Sequence, residues 1–506
     1  MRTKESILNF VTTYIFYFIT AILGFVKVKF FLLYLGENVQ ALNQLYNNLF
    51  AYITLLETGM GAAFIYKLYN LLSKKEYDKI NSLYSGTVYI FRKIGLFMLG
   101  IAFVLSFFLP LFIHDNPFKY WYLLVTFMLF VFKNIIDYFY FVPRYVLTAE
   151  NKSYKINILM YLFRILIVGV EVLLIYLKLD YIFVLVPAIF LTYLENKVIN
   201  NKIFKIYPWL KIVDDKNTEI KNDMKHLVFH KIGGLIFNNI DIVLLSSFVG
   251  SYSVVVYGAY NYIIKFVTDT SNQISLAVKD GVGSVLSADL SENRKKEIIG
   301  ETNTIFAFIS TLFVTLLFFS LNYFVTIWIG KNYSISIITT ILFLILLFHK
   351  IISKPSQVYV NTLGLFKETK KYVLYSLLIN LILSVCLVNK YGINGVLIGT
   401  VVASVLIESW CYSYATAKKL FNKFDIKFWS LPVIKAILII TLEIVIIKLF
   451  IIKYLFVPTT LINWVLYCAI ISVIILLMSL ILYYLLFSNF KTIISKLKHA
   501  IVKKSE

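Results

Sequence analysis

Charged residues and cysteines are both scarce in this chain, and each scarcity excludes a class of protein. Only 15% of the 506 residues are charged, 60% are hydrophobic, and the mean hydropathy is +0.80. A soluble protein of this length needs far more polar surface to cover its core. The three cysteines, Cys386, Cys411 and Cys468, lie in apolar segments without CxxC or Cys/His spacing. That pattern excludes a disulfide framework and a zinc site.

Long apolar segments are what the chain has in abundance. Stretches longer than about 18 residues recur along its whole length, which is typical of membrane-spanning helices. We therefore predict an all-α polytopic membrane protein with about fourteen transmembrane helices. The predicted spans are 7–35, 41–69, 80–112, 118–148, 151–177, 181–205, 225–249, 254–286, 294–327, 333–364, 366–388, 391–415, 426–452 and 458–488. The N-terminal segment has no small-residue cleavage site, so we expect a retained first span.

Basic residues are distributed unevenly among the loops between the predicted spans. One set of alternate loops, taken with both termini, holds about 29 lysines and arginines, whereas the other set holds about 5. The positive-inside rule then places both termini in the cytoplasm, which requires an even number of spans. Because most lysines lie in these loops, the net charge of +22 does not indicate a nucleic-acid partner.

A weak internal repeat divides the chain into two halves. A shift of about 214 residues aligns Tyr46 and Asn47 with Tyr260 and Asn261, and the order of the spans agrees. We predict two pseudo-symmetric six-helix lobes in the same orientation, which is typical of transporters with a substrate path between the halves. The predicted organisation is an N-terminal lobe at 1–207, a cytoplasmic connector at 208–224, a C-terminal lobe at 225–424, two further helices at 425–490 and a basic cytoplasmic tail at 491–506.

Several basic residues fall inside the predicted spans, where a charge is costly. A lysine or arginine at a helix centre costs about 2.5–3.5 kcal/mol, so such residues usually face a bundle interior or an aqueous cavity. Six of them exposed to lipid would cost roughly 15–20 kcal/mol, which exceeds a typical stability of about 5–15 kcal/mol. We predict a cationic cavity that binds an anionic substrate such as a diphosphate. Its candidate residues are Lys27, Lys133, Arg164, Lys265, Lys350, Arg92 and Lys29.

Amides and acids accompany these cations along the spans. The amides predicted to line the cavity are Asn43, Asn47, Asn239 and Asn261. The acids that could pair with a cation, or bind a coupling ion such as Na⁺ or H⁺, are Glu57, Asp137, Glu171, Asp241 and Asp269. In the repeat alignment Asp241 occupies the place of Lys27, so these two side chains could face each other. No constellation in the sequence predicts a metal site.

Each charged residue also has a purely structural interpretation. Local spacing suggests the pairs Lys133–Asp137, Lys265–Asp269 and Arg164–Glu171, which would lower the cost of burial without any function. Lys350 and Lys354 have no acid nearby in the sequence. Lys29, about 10 Å along a helix from Gly36, could extend to the outer membrane surface. We expect Arg144 to extend to the cytoplasmic surface in the same way.

One stretch, residues 30–80, carries a set of short motifs in a fixed order. They are Leu35-Gly36, Ala41-Leu42-Asn43, Glu57-Thr58-Gly59-Met60-Gly61-Ala62-Ala63, Leu68-Tyr69 and Asp78-Lys79-Ile80. This set resembles the front of bacterial Wzx-type polysaccharide flippases, and residues 238–263 are similar to their second half. The chain departs from that pattern in having lysines where arginine is common before the Leu-Gly turn, which weakens bidentate phosphate recognition. Ala41 also replaces a usual glycine.

The resemblance implies both a fold and a function. The fold is that of the multidrug/oligosaccharidyl-lipid/polysaccharide (MOP) exporter superfamily. The function is alternating-access transfer of an undecaprenyl-diphosphate-linked oligosaccharide from the inner to the outer leaflet of the bacterial cytoplasmic membrane, for capsule or other surface polysaccharide. The implied partners are this substrate, membrane lipids and other polysaccharide-assembly proteins. The resemblance also implies that spans 13 and 14 help to form a groove for the lipid tail.

Two other functions stay open at this stage. An ion-coupled drug antiporter of the same superfamily would favour acids over bases in its cavity. An integral-membrane polysaccharide polymerase or glycosyltransferase would need a sizeable outer loop or a metal-binding carboxylate motif. The predicted outer loops are shorter than about ten residues, and no nucleophile–base constellation, Walker loop or dinucleotide fingerprint is present. We therefore expect a transporter without enzymatic activity or a cofactor.

Overall fold

The computed structural model describes residues 2–54, 60–215, 239–288 and 290–505, and every regular element in these ranges is a helix. This confirms the prediction of an all-α polytopic membrane protein. A bilayer interior offers no water to backbone N–H and C=O groups, so apolar segments must close their hydrogen bonds within helices. Ten of the described helices are long and apolar enough to cross a membrane.

The chain divides into two compact units, Met1–Val255 and Val256–Glu506. The predicted connector at 208–224 lies partly outside the described residues. The helices of the first unit are α1 (Arg2–Phe30), α2 (Glu37–Ile53), α3 (Met60–Lys74), α4 (Tyr77–Ser106), α5 (Tyr120–Tyr140), α6 (Val142–Ala149), α7 (Tyr154–Tyr176), α8 (Tyr181–Ile206) and α9, described over Asn239–Phe248.

Two predicted spans of the first unit each consist of two helices. The span predicted at 41–69 comprises α2 and α3, which are described up to Thr54 and from Met60. The span predicted at 118–148 comprises α5 and α6, with Pro143 in the first turn of α6. Proline has no backbone N–H and is tolerated there, because the first N–H groups of a helix have no partner within it.

The core of the first unit fixes α2 against α5. The fully buried ring of Tyr46 lies 5.0 Å from that of Phe127 and 5.8 Å from that of Phe130, measured between centroids. The Tyr46 hydroxyl donates to the carbonyl of Leu123 at 3.1 Å and lies 2.9 Å from Thr126 Oγ1. A buried tyrosine needs such a partner for its hydroxyl group. These contacts set the rotation of α2 and so the position of its asparagines.

The second unit contains longer helices and more interruptions. Its helices are α10 (Ser251–Ser287, which crosses the boundary), α11 (Glu292–Ile329), α12 (Ile337–Ile352), α13 (Lys354–Leu363), α14 (Phe366–Tyr391), α15 (Ile393–Ala403), α16 (Ser409–Phe421), α17 (Ile426–Ile446), α18 (Leu461–Leu486) and α19 (Ser488–Ser505). A π-helical turn, Ser404–Glu408, joins α15 to α16. The 38 residues of α11 extend about 57 Å, well beyond the roughly 30 Å of a hydrocarbon core.

Two glycines let α15 approach α14 closely. An added Cβ at Gly395 would lie 2.4 Å from the carbonyl oxygen of Leu387, and one at Gly399 would lie 2.9 Å from the backbone nitrogen of Ser384. The four-residue spacing of Gly395 and Gly399 places both on one face of α15, as in the GxxxG pattern of membrane helices. Backbone packing therefore holds this pair of helices together.

The segment that we predicted as a basic tail is largely helical. It forms α19, which packs against α11. The ammonium group of Lys496 contacts Glu301 Oε1 at 2.5 Å and Glu297 Oε1 at 3.3 Å. The hydrogen bond to Glu301 raises the pKa of Lys496.

Candidate functional site

The first element of the candidate site is the C-terminal end of α1. A π-helical turn, Phe31–Leu35, follows α1, and Gly36 ends it with φ of +85°, a backbone conformation that favours glycine. The Gly36 N–H donates to the Phe31 carbonyl at 3.0 Å. Lys27 lies nine residues before Gly36, about 13 Å along a helix. The ammonium group of Lys27 therefore lies farther from the end of α1 than that of Lys29, and it reaches solvent there less easily.

One buried carboxylate joins two lysines from different helices. Glu171 on α7 is 1% exposed, and its Oε2 lies 2.7 Å from Lys27 Nζ on α1. Its Oε1 lies 2.5 Å from Lys133 Nζ on α5. Each oxygen of the carboxylate therefore has its own ammonium partner, which gives strong charge-assisted hydrogen bonds. We call Lys27, Lys133 and Glu171 the triad.

Arg164 adds a further positive charge to the triad. It lies two turns before Glu171 on α7, is exposed, and interacts electrostatically with Lys27. Arg164 also interacts electrostatically with Glu195, so the secure excess is that of the triad, in which two lysines face one carboxylate. Glu171 neutralises only one of the two lysines, so an anion is favoured here.

Aromatic and amide groups surround the triad. The Lys27 ammonium lies 5.5 Å from the centroid of the Phe31 ring, and that ring packs edge-on against Tyr181 at 5.6 Å. The Tyr181 hydroxyl donates to Asn43 Oδ1 at 3.0 Å. Asn47 donates to the backbone carbonyl of Asn43 at 2.7 Å. Two predicted cavity amides of α2 are thus connected to the triad through Tyr181 and Phe31.

The ion pairs differ from those that local spacing suggests. Lys133 pairs with Glu171 rather than with Asp137, and Glu171 pairs with the two lysines rather than with Arg164. Lys27 has Glu171 as its partner, not Asp241. Neighbours on one helix lie side by side on its surface, where an ion pair gains little. The packing of α1, α5 and α7 instead brings three charged side chains to one buried position, so the ion pairs form between helices.

A second polar network occupies the first unit nearer to the end of α5. Arg144 Nη2 donates to Asn196 Oδ1 at 2.8 Å, and Asn196 Nδ2 donates to Asp137 Oδ1 at 2.8 Å. The same guanidinium lies 4.0 Å from Glu195. Arg144 is only 6% exposed, so our expectation that it extends to the membrane surface is wrong. Asn196, Asp137 and Glu195 compensate its burial. Of these three, the sequence had indicated only Asp137, as a possible partner of Lys133.

The remaining predicted site residues are spread over both units. Among the cations, Lys29, Arg92 and Lys265 are exposed and Lys350 is half-buried. Among the acids, Asp241 is buried, Asp269 accepts a hydrogen bond from Asn272 at 3.3 Å, and no ion pair joins it to Lys265 within the described ranges. Asn239 and Asn261 are half-buried. Glu57 lies outside the described residues.

The second unit has a polar cluster that the sequence revealed only in part. Lys350 and Lys354 interact electrostatically with Glu408, which lies in the π-helical turn between α15 and α16. Ser376 Oγ donates to Glu408 Oε1 at 3.2 Å. Sequence analysis found no acid near these two lysines because Glu408 is more than 50 residues away along the chain. The turn from α12 into α13 and the π-helical turn bring them together.

Comparison with solved structures identifies the architecture. The lipid II flippase MurJ, in an inward closed conformation, is 17% identical over 94% of this chain and 99% of its own, with a TM-score of 0.67. An inward-facing multidrug resistance MATE family transporter of the MOP superfamily is 14% identical over 80% and 96%, with a TM-score of 0.61. A mutant of the Vibrio cholerae MATE transporter VcmN is 13% identical over 84% and 99%, with a TM-score of 0.59.

These likenesses lie in the fold and not in the sequence. No family model matches the chain, and no curated protein matches it. The matches cover nearly the whole length of each solved structure. The chain has the fold of MOP-superfamily membrane transporters.

Proposed function

We propose that this protein is a flippase that moves an undecaprenyl-diphosphate-linked oligosaccharide from the inner to the outer leaflet of the bacterial cytoplasmic membrane. The route is a cationic cavity that opens alternately to the two sides, with both termini in the cytoplasm. The lipid tail stays in the bilayer while the diphosphate and the sugars cross. The exported unit serves the synthesis of capsule or another surface polysaccharide.

The observation that carries this proposal is the excess of positive charge around Glu171. The triad has an excess of one positive charge inside a membrane-embedded unit, and Arg164, which interacts electrostatically with both Lys27 and Glu195, is a further cation beside it. Such an arrangement is costly for a merely structural cluster, since a second acid would have neutralised it. A diphosphate supplies the missing negative charge, and lysine ammonium groups are common phosphate ligands.

A second candidate function is an ion-coupled antiporter of cationic drugs. It is supported by the likeness to MATE transporters. It is also supported by the buried acid Glu171, which could bind a cationic substrate in place of one of its two lysine partners. The net positive charge of the triad with Arg164 disfavours it, because a cationic drug would be repelled. We do not propose a polymerase or glycosyltransferase, since the solved structures of similar fold are transporters and flippases.

Flipping of a fluorescent lipid-diphosphate oligosaccharide in reconstituted vesicles tests the proposal. Lys27→Ala and Lys133→Ala each leave Glu171 with one lysine, so both variants should fold. Arg164→Ala removes no ion pair among the residues that the structure describes. A charged hydrogen bond contributes about 1.5–3 kcal/mol, so each change should slow flipping roughly ten- to hundredfold. Lys27→Arg should retain most of the activity because the charge remains.

Lys331→Ala, in the exposed turn Lys331–Tyr333, is the matched control and should flip at the wild-type rate. Wild-type flipping by all three alanine variants, at equal amounts of folded protein, would contradict the cationic route. Efflux of a cationic dye from the same vesicles, without flipping of the lipid, would favour the antiporter instead.

A further inference from the structure

A buried carboxyl group in the second unit has no part in the proposed site. Glu443 lies near the end of α17, and its side chain is completely buried. The buried residues closest to it along the chain are Ile439 and Ile440 in α17 and Ile447 just after its end. An acid at such an apolar position is rare in membrane helices and calls for an explanation in terms of function.

Hydroxyl groups from two other helices hold this carboxyl group. Thr315 Oγ1 of α11 donates to Glu443 Oε2 at 2.9 Å, and Ser479 Oγ of α18 donates to Glu443 Oε1 at 2.5 Å. Thr311 and Ser320 of α11 instead donate to carbonyl oxygens of their own helix, at 3.0 and 2.8 Å, as is usual in helices. Thr315 and Ser479 are therefore directed at the carboxyl group, which joins α11, α17 and α18 at one point.

No positive charge of the described chain compensates Glu443. It forms no ion pair among the described residues. Lys435, two turns earlier on α17, donates to the carbonyl of Leu486 at 2.6 Å and lies 5.1 Å from the ring of Phe487. Lys448, beyond the end of α17, is exposed. A buried carboxylate without a counter-charge costs several kcal/mol, and the described residues leave its compensation to a bound cation or proton.

The short contacts of Glu443 select the kind of cation. Both hydroxyl oxygens touch the carboxyl oxygens directly, at hydrogen-bond distance, which leaves no space for a metal ion between them. A proton needs no such space: it resides on one carboxyl oxygen and reverses the direction of one hydrogen bond. We propose that Glu443 is a proton-binding site, and that uptake and release of this proton govern how α17 and α18 pack on α11.

Few other ionisable groups lie on the three helices within the membrane. They are Tyr323 on α11, Lys435 on α17, Lys448 just after it, and Tyr467, Cys468, Tyr483 and Tyr484 on α18. Of these, Tyr483 interacts electrostatically with Glu443, and its hydroxyl lies 2.8 Å from Thr311 Oγ1. Tyrosine stays neutral at physiological pH. Glu443 is thus the one carboxyl group in the apolar parts of these three helices, and it contacts Thr315 and Ser479 directly.

Release of the proton would place a full negative charge among apolar side chains. Two hydroxyl donors stabilise that charge only partly, so water entry or separation of the helices becomes favourable. The site thereby gives the second unit two packing states that differ by one proton, as a coupled transporter requires. This inference does not depend on the substrate proposed above.

Dicyclohexylcarbodiimide tests the site directly, because this apolar reagent modifies protonated carboxyl groups in membranes. The full-length protein in lipid vesicles would be labelled over a range of pH, and peptide mass spectrometry would quantify the adduct on Glu443. We expect labelling that falls about tenfold for each pH unit above the titration midpoint. Addition of Na⁺ at constant pH should leave the labelling unchanged.

Three results would overturn the proposal. Absence of labelling at every pH would show a sealed, purely structural carboxyl group. Labelling that does not vary with pH would show that no proton is exchanged, and suppression by Na⁺ would identify a sodium site. Failure of the flippase proposal would alter none of these results, since labelling requires no transported substrate.

Matched variants separate the proton site from general packing. Thr315→Ala and Ser479→Ala remove one donor each and should shift the pH dependence of labelling. Thr311→Ala removes a hydrogen bond to Tyr483 one turn away and should leave that dependence unchanged. Glu443→Gln should abolish the adduct yet unfold at the wild-type temperature in acidic buffer, where wild-type Glu443 is protonated. An unchanged pH dependence in both Thr315→Ala and Ser479→Ala would contradict the assignment.

Discussion

Two buried glutamates, one in each unit, are stabilised by opposite means. Glu171 in the first unit has two lysine partners at 2.7 and 2.5 Å, whereas Glu443 in the second unit has two hydroxyl partners at 2.9 and 2.5 Å. Lysines hold the first carboxyl group in its ionised form and leave an excess of positive charge. Hydroxyls are neutral and leave the charge of the second group to be set by a proton.

The difference shows that a buried glutamate can have two different roles in one membrane protein, depending on its hydrogen-bond partners. A carboxylate between two lysines orients their ammonium groups through charge-assisted hydrogen bonds. A carboxyl group between two hydroxyls can gain or lose a proton without breaking an ion pair. The first arrangement suits recognition of an anion, and the second suits coupling of transport to a proton.

The same substitution at both acids should give the largest difference in stability. Glu171→Gln leaves Lys27 and Lys133 buried without an anion, and breaking a buried pair in this way costs about 3–5 kcal/mol. Glu443→Gln keeps a neutral hydrogen-bonding group, so we expect a change below about 1 kcal/mol. Thermal unfolding in detergent micelles, in mildly acidic buffer, measures both. Equal losses of stability in the two variants would break the comparison.

The comparison extends to helix packing, where we expect an intermediate effect. An added Cβ at Gly395 meets the Leu387 carbonyl oxygen at 2.4 Å, whereas one at Gly61 in the first unit meets the Tyr145 hydroxyl at 2.4 Å. A backbone atom cannot move aside as a side chain can. Gly395→Ala should therefore cost about 1–3 kcal/mol, and Gly61→Ala less.

Gly100→Ala serves as the control for both glycine variants. It lies on α4, and nothing lies within 4 Å of an added Cβ there. The higher helix propensity of alanine should make this variant slightly more stable, as measured by the same unfolding assay. A larger loss of stability at Gly61 than at Gly395 would show that packing is tighter in the first unit.

The smallest effect is expected at the exposed ion pairs of α19. Lys496→Ala removes the contacts with Glu301 and Glu297, and exposed pairs contribute about 0–1 kcal/mol. High salt should reduce even this difference, since exposed charges are screened. Unfolding at low and at high salt measures it. A loss as large as that of Glu171→Gln would mean that α19 contributes to stability far beyond its ion pairs.

The fold was largely predictable from the sequence, because length and apolar composition alone require helices in a membrane. The uneven distribution of basic residues among the loops is also visible in the sequence alone, and the orientation that it predicts stays a prediction. Helix interruptions were less visible. The π-helical turns Phe31–Leu35 and Ser404–Glu408 lie within apolar runs, and their composition does not distinguish them from regular helix.

The candidate site was predictable as a set of residues and not as a set of contacts. Lys27, Lys133 and Glu171 were recognisable because a charge inside an apolar run is costly wherever it points. Their pairing was not, since Lys27 and Glu171 lie 144 residues apart and local spacing favoured other partners. The burial of Arg144 was also missed, because its partner Asn196 lies on a different helix. Asn196 is also uncharged, so no opposite charge indicated the contact.

The sequence by itself determined that this chain is a bundle of membrane helices with positive charges inside its spans, because hydrophobic length and the cost of burying charge are properties of each segment alone. Only the tertiary structure decided that Glu171 forms ion pairs with two lysines, whereas Glu443 contacts two hydroxyl groups and no base among the described residues. Those outcomes depend on distances between helices that are remote in the chain, and the interaction energy of two charges is set by that separation and by the burial around them.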